Sequence, residues 1–347
     1  MSFEIGIYHF GELTPDPHSG APAPSAQQRL KDLIEQAEVA DQAGLDIFGL
    51  GEHHRDDFAV SASAVVLSAI AMRTSRIRLS SAVTVLSSED PVRVYEQYAT
   101  LDNLSDGRAE MIVGRGSYVE SFPLFGYDLS LYNDLFEERL QLLDRIQKEN
   151  PVTWQGMLRP PLEEADISPR ALQEYIPTWV AVGGTPASAV RAAKFGLPMA
   201  LGILGGRLDG FKGMADLYRK SAADHGVDPA KLKISVNGPG FVAETTQEAQ
   251  EFSYPYYARA MKENQHMQGR GQVLQYEAYQ EHASDDGALF VGSPQQIVEK
   301  ILRQHEAYGH DRYIMQLGYG NTPQRETLRA IELLATEVLP AVRQELG

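Results

Sequence analysis

Short apolar runs alternate with amphipathic helical stretches along almost the whole chain, and this alternation limits the fold more than any other feature. The runs lie at 3–8, 45–50, 77–85, 109–113, 178–182, 198–203, 233–242 and 312–317. Strands separated by helices become parallel neighbours joined by crossovers. Eight such units predict an α/β fold, a closed (β/α)8 TIM barrel, rather than an open sheet. Helix boundaries carry their own signals. Ser25 is placed to cap a helix bearing Leu30, Leu33, Ile34, Ala37 and Ala40, and Gly44 to stop it. Pro91 falls in a first turn, and Ser293-Pro294 opens a helix that Gly309 ends.

A barrel needs about 250 residues. The 347 residues are therefore read as one barrel domain, 1–347, with insertions at about 150–175 and 244–290. The first insertion has Pro151, Pro160, Pro161 and Pro169 and no clear period, so a loop is expected. The second is polar, with Gln265, Gln268, Gly269, Gly271, Asp285, Asp286 and Gly287, and its composition fits a mobile lid and a disordered or merely decorative loop equally. Gly238-Pro239-Gly240 is expected to break the seventh strand.

Composition removes several function classes. There is no cysteine, which excludes disulfides, thiolate metal sites and a cysteine nucleophile. The net charge of −16 offers no footprint for nucleic acid. No apolar stretch is long enough to span a membrane, and no Lys or Arg precedes Arg29, so a cytoplasmic protein is expected.

Barrel active sites lie at the C-terminal ends of the strands. That rule selects His9 and Phe10, then Glu52-His53-His54, then Ala82, Val83 and Thr84. It also selects the run Gly114-Arg115-Gly116-Ser117-Tyr118 and the turn Gly183-Gly184-Thr185. Two glycines followed by Thr185 and Pro186 form a strand–turn–helix corner whose N–H groups can hold a phosphate, and Ser188 could add a hydroxyl. The same sequence also fits an ordinary corner. Arg115 could grip that phosphate with two hydrogen bonds or pair with a surface carboxylate. The run from Gly114 falls short of a dinucleotide fingerprint, because Val119 stands at its third small-residue place. Adjacent histidines leaving a strand are poorly spaced for a metal, so no metal site is predicted at His53-His54. One of them suits proton transfer, and His9 suits either a core or a catalytic place.

The ordered set of motifs resembles the bacterial luciferase-like, flavin-dependent monooxygenase family. It comprises Gly44-Leu45-Asp46, Glu52-His53-His54, Val85-Leu86, Asp90-Pro91-Val92-Arg93, and Leu101 to Arg108. It continues through Gly114-Arg115-Gly116, Phe125-Gly126, Gly183-Gly184-Thr185-Pro186, Phe195-Gly196-Leu197-Pro198 and Gly292-Ser293-Pro294. The resemblance implies FMN at the C-terminal rim, with its phosphate near Arg115, Gly183, Gly184, Thr185 and Ser188. It implies an isoalloxazine ring against Ala82-Val83 and a non-prolyl cis peptide there. It makes His53 the active-site histidine, with His9, Phe10 and Tyr118 on the substrate side.

The implied activity is oxidation of a small organic substrate by reduced FMN and dioxygen. Reduced FMN would come from a separate flavin reductase. A homodimer through helices 60–72 and 90–104 is implied as well. Luciferases carry a reactive cysteine where this chain has Gly114, so light emission is not expected, and Gly114 could leave room for substrate. The competing readings are a deazaflavin-dependent hydride-transfer oxidoreductase, a catalytically silent flavin carrier and a metal-dependent hydrolase.

Overall fold

The computed structural model describes residues 2–267 and 274–347. Twelve strands occur among them. They are β1 (Glu4–His9), β2 (Ile47–Leu50), β3 (Arg78–Ser81), β4 (Thr84–Val85), β5 (Ala109–Gly114) and β6 (Val152–Trp154). The rest are β7 (Leu162–Ala165), β8 (Thr178–Val182), β9 (Met199–Gly202), β10 (Ile234–Val242), β11 (Phe290–Gly292) and β12 (Arg312–Gln316). Parallel pairing runs β1–β2–β3–β5–β8–β9–β10–β12 and returns to β1, which closes the barrel. The apolar runs are strands because closure covers both of their faces. β1, β2, β5 and β10 are buried almost without interruption.

The expected caps form. Ser25 accepts from the Gln28 N–H, Asp90 from Val92 and Ser293 from Gln296, and Gly44 and Gly309 take the left-handed conformation at helix ends. The last helix extends from Gln324 to Leu346 through a π-turn at Leu334–Val338.

Three local expectations change. The strand expected at 77–85 is interrupted between β3 and β4, where the Ala82–Val83 peptide is cis. β10 is continuous through Gly238-Pro239-Gly240. A Cβ on Gly238 would lie 2.7 Å from the Ile203 carbonyl, and one on Gly240 would lie 2.6 Å from that of Phe290. These glycines admit neighbouring backbone and do not end the strand. The first insertion is also more than a loop, because β6 and β7 pair antiparallel within it.

The second insertion contributes the helices Thr246–Met267 and Tyr276–Ala283, and β11 joins the sheet beside β10. Gln268, Gly269 and Gly271 lie outside the described residues. Among the described residues no helix is long and apolar enough to cross a membrane.

The N-terminal end of the barrel is filled. Arg312, fully buried, donates to both carboxylate oxygens of Glu110 at 2.8 and 3.0 Å. Its guanidinium lies 3.6 Å from the centre of the Trp179 ring. Ser80 donates to Glu110 as well, at 3.2 Å. Opposite charges thus satisfy one another inside the barrel.

Candidate active site

At the other end the strands open into a cavity of about 440 Å³. Its floor includes the apolar residues Ala82, Val83, Ile112, Ala181 and Ala200, with the polar Tyr8, Asn237 and Gln316 also lining the cavity. Gly114 belongs to this floor. An added Cβ would lie 3.0 Å from Val83 and 3.2 Å from Ala181, so the missing side chain makes room for Val83.

One side of the cavity is built for an anion. Arg115 follows β5, and the turn at Gly116 (φ +80°) carries the chain away from the strand. The guanidinium donates to Asn133 Oδ1 at 2.6 Å and to Ser188 Oγ at 2.9 Å, and lies 5.1 Å from the centre of the Tyr132 ring. It is therefore held in place without a carboxylate partner among the described residues, unlike an ordinary surface arginine. The turn after β8 faces the same cavity. No atom lies within 4 Å of a Cβ built on Gly183 or Gly184, so this backbone is open to a ligand. Thr185 occupies the N-cap position of the helix Pro186–Lys194, but its hydroxyl makes no capping bond. Ser188 does not line the cavity; its buried hydroxyl orients Arg115 instead.

The loops after β1, β2 and β12 enclose the opposite side. His53 is buried and its Nδ1 lies 3.0 Å from Glu120 Oε1. Burial works to raise the Glu120 carboxyl, but hydrogen bonds from His53 and from its own backbone hold it below the ordinary carboxylate range. An ionised carboxylate only accepts, so Nδ1 donates this bond and Nε2 is directed away from it. Phe58, Phe10 and Tyr118 surround this imidazole, with ring centres 4.3, 4.8 and 4.8 Å away. Burial raises the Tyr118 phenol to about 12, so it remains protonated at neutral pH. His54 takes a separate partner. The nearby Glu52 carboxylate pushes its pKa up, and Glu52 itself accepts from the Val85 N–H at 3.0 Å.

His9 is not brought to the cavity. Its buried ring lies against Phe48, with centres 5.9 Å apart, and burial lowers its pKa to about 3. It is a neutral core histidine, which corrects its assignment to the substrate side. Phe10, His53, Ala82, Val83, Arg115, Tyr118, Gly183, Gly184 and Thr185 do meet there. Sequence reasoning missed Glu12, Thr14, Phe58, Glu120, Glu263 and Tyr319, which also line the cavity. Phe58, Glu120 and Glu263 lie farther along their loops or helix than the residues the barrel rule selects, whereas Glu12 and Tyr319 follow β1 and β12 by only three residues and were passed over.

Residues 3–311 match the family model described as luciferase-like monooxygenase. N-acetyl-S-alkylcysteine monooxygenase of Bacillus subtilis is 24% identical, over 92% of this chain and 95% of that protein. A monooxygenase from Streptomyces bottropensis has a similar structure, with a TM-score of 0.82, 25% identity and coverage of 97% of this chain and 99% of that one. The oxygenating constituent of 3,6-diketocamphane monooxygenase from a Pseudomonas putida plasmid, solved with FMN, shares the fold. Its TM-score is 0.76 at 20% identity, covering 98% of this chain and 99% of that one. F420-dependent enzymes share the fold too, so the fold alone leaves the flavin open.

Proposed function

The chain belongs to the luciferase-like monooxygenase family, and from that premise we propose that it is an FMN-dependent monooxygenase acting on a small organic substrate. The observation that carries this reading is Arg115, fixed by Ser188 and Asn133 beside the open Gly183-Gly184-Thr185 turn. A cation and unobstructed N–H groups at a helix start fit a terminal phosphate. The small apolar floor around Ala82 and Val83 fits a flat ring system. When bound, reduced FMN supplies two electrons to dioxygen, so that one oxygen atom enters the substrate and the other leaves as water.

The chain's own residues bind, exclude water and move a proton. Phe10, Phe58 and Tyr118 keep the surroundings of His53 dry. Glu120 fixes the proton on His53 Nδ1, leaving Nε2 to take a proton from substrate or return one. Reduced flavin is supplied by a separate reductase. The glycine run from Gly114 leads into the five-residue helix Ser121–Phe125 and builds no second dinucleotide unit. Val65 and Met72, each 68% exposed in and just after the helix Ser63–Ala71, are available to a homodimer contact.

The test supplies the protein with reduced FMN, ¹⁸O₂ and a substrate panel, and reads the product by mass. One ¹⁸O atom per product molecule is expected. Product formed from reduced deazaflavin without oxygen uptake would replace this reading with hydride transfer. Rapid bleaching of FMN by NADH or NADPH with this chain alone would remove the separate reductase.

A further inference from the structure

The cavity has two unlike sides, and the one away from Arg115 carries a carboxylate without an ion-pair partner. The loop after β1 lies across the barrel from the turn after β8, because these strands are four places apart in the closed order. Glu12 is on that loop and lines the cavity. Its backbone is pinned by an antiparallel bridge to Phe58, with flanking bonds from Leu13 N–H to the Asp57 carbonyl at 2.7 Å and from Ala59 N–H to the Gly11 carbonyl at 2.8 Å.

The other charges around this side are already matched. Asp57 pairs with Arg55, Glu263 with Arg259 at 2.9 Å and Glu120 with His53 at 3.0 Å. Among the described residues no cation lies within ion-pair distance of the Glu12 carboxylate. Arg29 donates to the Glu12 backbone carbonyl at 3.1 Å and turns another nitrogen toward Asp32. The carboxylate accepts from the Gly320 N–H. Gly320 has a φ of +56°, and a Cβ there would lie 2.7 Å from the Tyr256 carbonyl, so a backbone donor is built in at this point.

A second polar side chain of the same loop has no hydrogen-bond partner among the described residues. Thr14 is only 6% exposed, lines the cavity, and its Oγ1 has no hydrogen-bond partner. Aromatic rings complete the surroundings, namely Phe10, Phe58, Tyr118 and Tyr319. Arg55 already lies over Phe58 and Tyr118, 5.4 and 5.8 Å from their centres, so a cation occupies these two rings, and Phe10 and Tyr319 supply further aromatic lining. A carboxylate, a free hydroxyl acceptor and aromatic faces in one recess match a protonated amine.

We propose that this cavity takes an amine-bearing substrate, an apolar or aromatic molecule whose ammonium group is held by Glu12, with Thr14 as a further acceptor. The proposal rests on the monooxygenase reading of the cavity. Burial raises Glu12 to about 7, and an ammonium beside it would favour its ionised form.

The test uses the FMN-loaded protein at about pH 8 and three matched probes, 3-phenylpropylamine, 3-phenylpropanol and 3-phenylpropanoate, with binding read by calorimetry and by the flavin spectrum. The amine should bind at least about tenfold more tightly than the alcohol, and the carboxylate most weakly. Glu12→Gln should remove the amine's advantage, and Thr14→Val should reduce it. Equal binding of the amine and the carboxylate, or an amine preference that survives Glu12→Gln, would overturn the proposal. FMN titration of the same protein separates the two readings. A protein that binds FMN without preferring the amine contradicts this proposal alone. A protein that prefers the amine but binds no FMN contradicts the monooxygenase reading alone.

Discussion

The two ends of the barrel use charge in opposite ways. At the N-terminal end, Arg312 and Glu110 meet in two hydrogen bonds over Trp179. At the C-terminal end, Arg115 is held by the uncharged Ser188 and Asn133, and Glu12 by a backbone N–H. The first arrangement neutralises its charges internally. The second leaves Arg115 and Glu12 without ion-pair partners among the described residues, so both remain available to whatever enters. The same eight strands therefore carry a structural plug at one end and a binding site at the other.

Substitutions that fail to respect this division would break the comparison. The largest effect is expected at the cavity end, on rate and not on stability. His53→Ala should lower turnover by roughly 10²–10⁴ while changing FMN affinity only a few-fold. Steady-state kinetics and flavin titration check this together. Unchanged turnover across pH would leave His53 as packing among Phe10, Phe58 and Tyr118. Glu120→Gln should lower turnover less and alter its pH profile, because the proton on Nδ1 loses its anionic acceptor.

At the opposite end the effect should fall on stability. Arg312→Leu strands the Glu110 carboxylate in the barrel interior and should cost about 3–5 kcal/mol in urea unfolding. Replacing both partners by apolar residues of similar volume should cost much less. An equal loss in the single and double variants would mean that packing on Trp179, not charge pairing, stabilises this end.

A smaller effect sharpens the comparison, because each end contains a histidine that is buried and neutral. Burial lowers His9 and His310 to about 3. Below about pH 6.5 the unfolded chain protonates both while the folded chain does not, so stability should fall as pH falls. At pH 5.5 the loss should be about 1.2 kcal/mol for each ring, relative to pH 7. His310→Leu should flatten the curve by one ring's share, and His9→Leu likewise. Urea midpoints between pH 7 and 5.5 read this directly, and a variant with the parent slope would show that its histidine is not the source.

The barrel was legible in the sequence because closure buries both faces of its strands, leaving apolar runs that stand out between amphipathic helices. Glycine misled that reading where it serves close backbone approach, as at Gly238 and Gly240 in β10. The β6–β7 hairpin was hidden because Leu162-Glu163-Glu164-Ala165 shows no alternation of apolar and polar residues. At the site, residues directly after strands were legible, and Arg115, His53 and the Gly183-Gly184 turn do face the cavity. His9 was misplaced because the last residue of β1 turns toward Phe48 and the core. Glu12, Glu120 and Tyr319 depend on loop paths that local sequence does not specify. The Arg312–Glu110 pair joins residues 202 positions apart, and only closure of the sheet brings them together.

The central claim is that the unneutralised arginine at the open end serves a flavin phosphate. Its most direct measurement is a paired titration of FMN and riboflavin into the parent protein and Arg115→Ala. The parent should prefer FMN, and Arg115→Ala should weaken FMN by about 1.5–3 kcal/mol for each charge-assisted bond lost while leaving riboflavin nearly unchanged. Equal affinities for the two flavins in the parent, or equal losses for both in the variant, would contradict the claim.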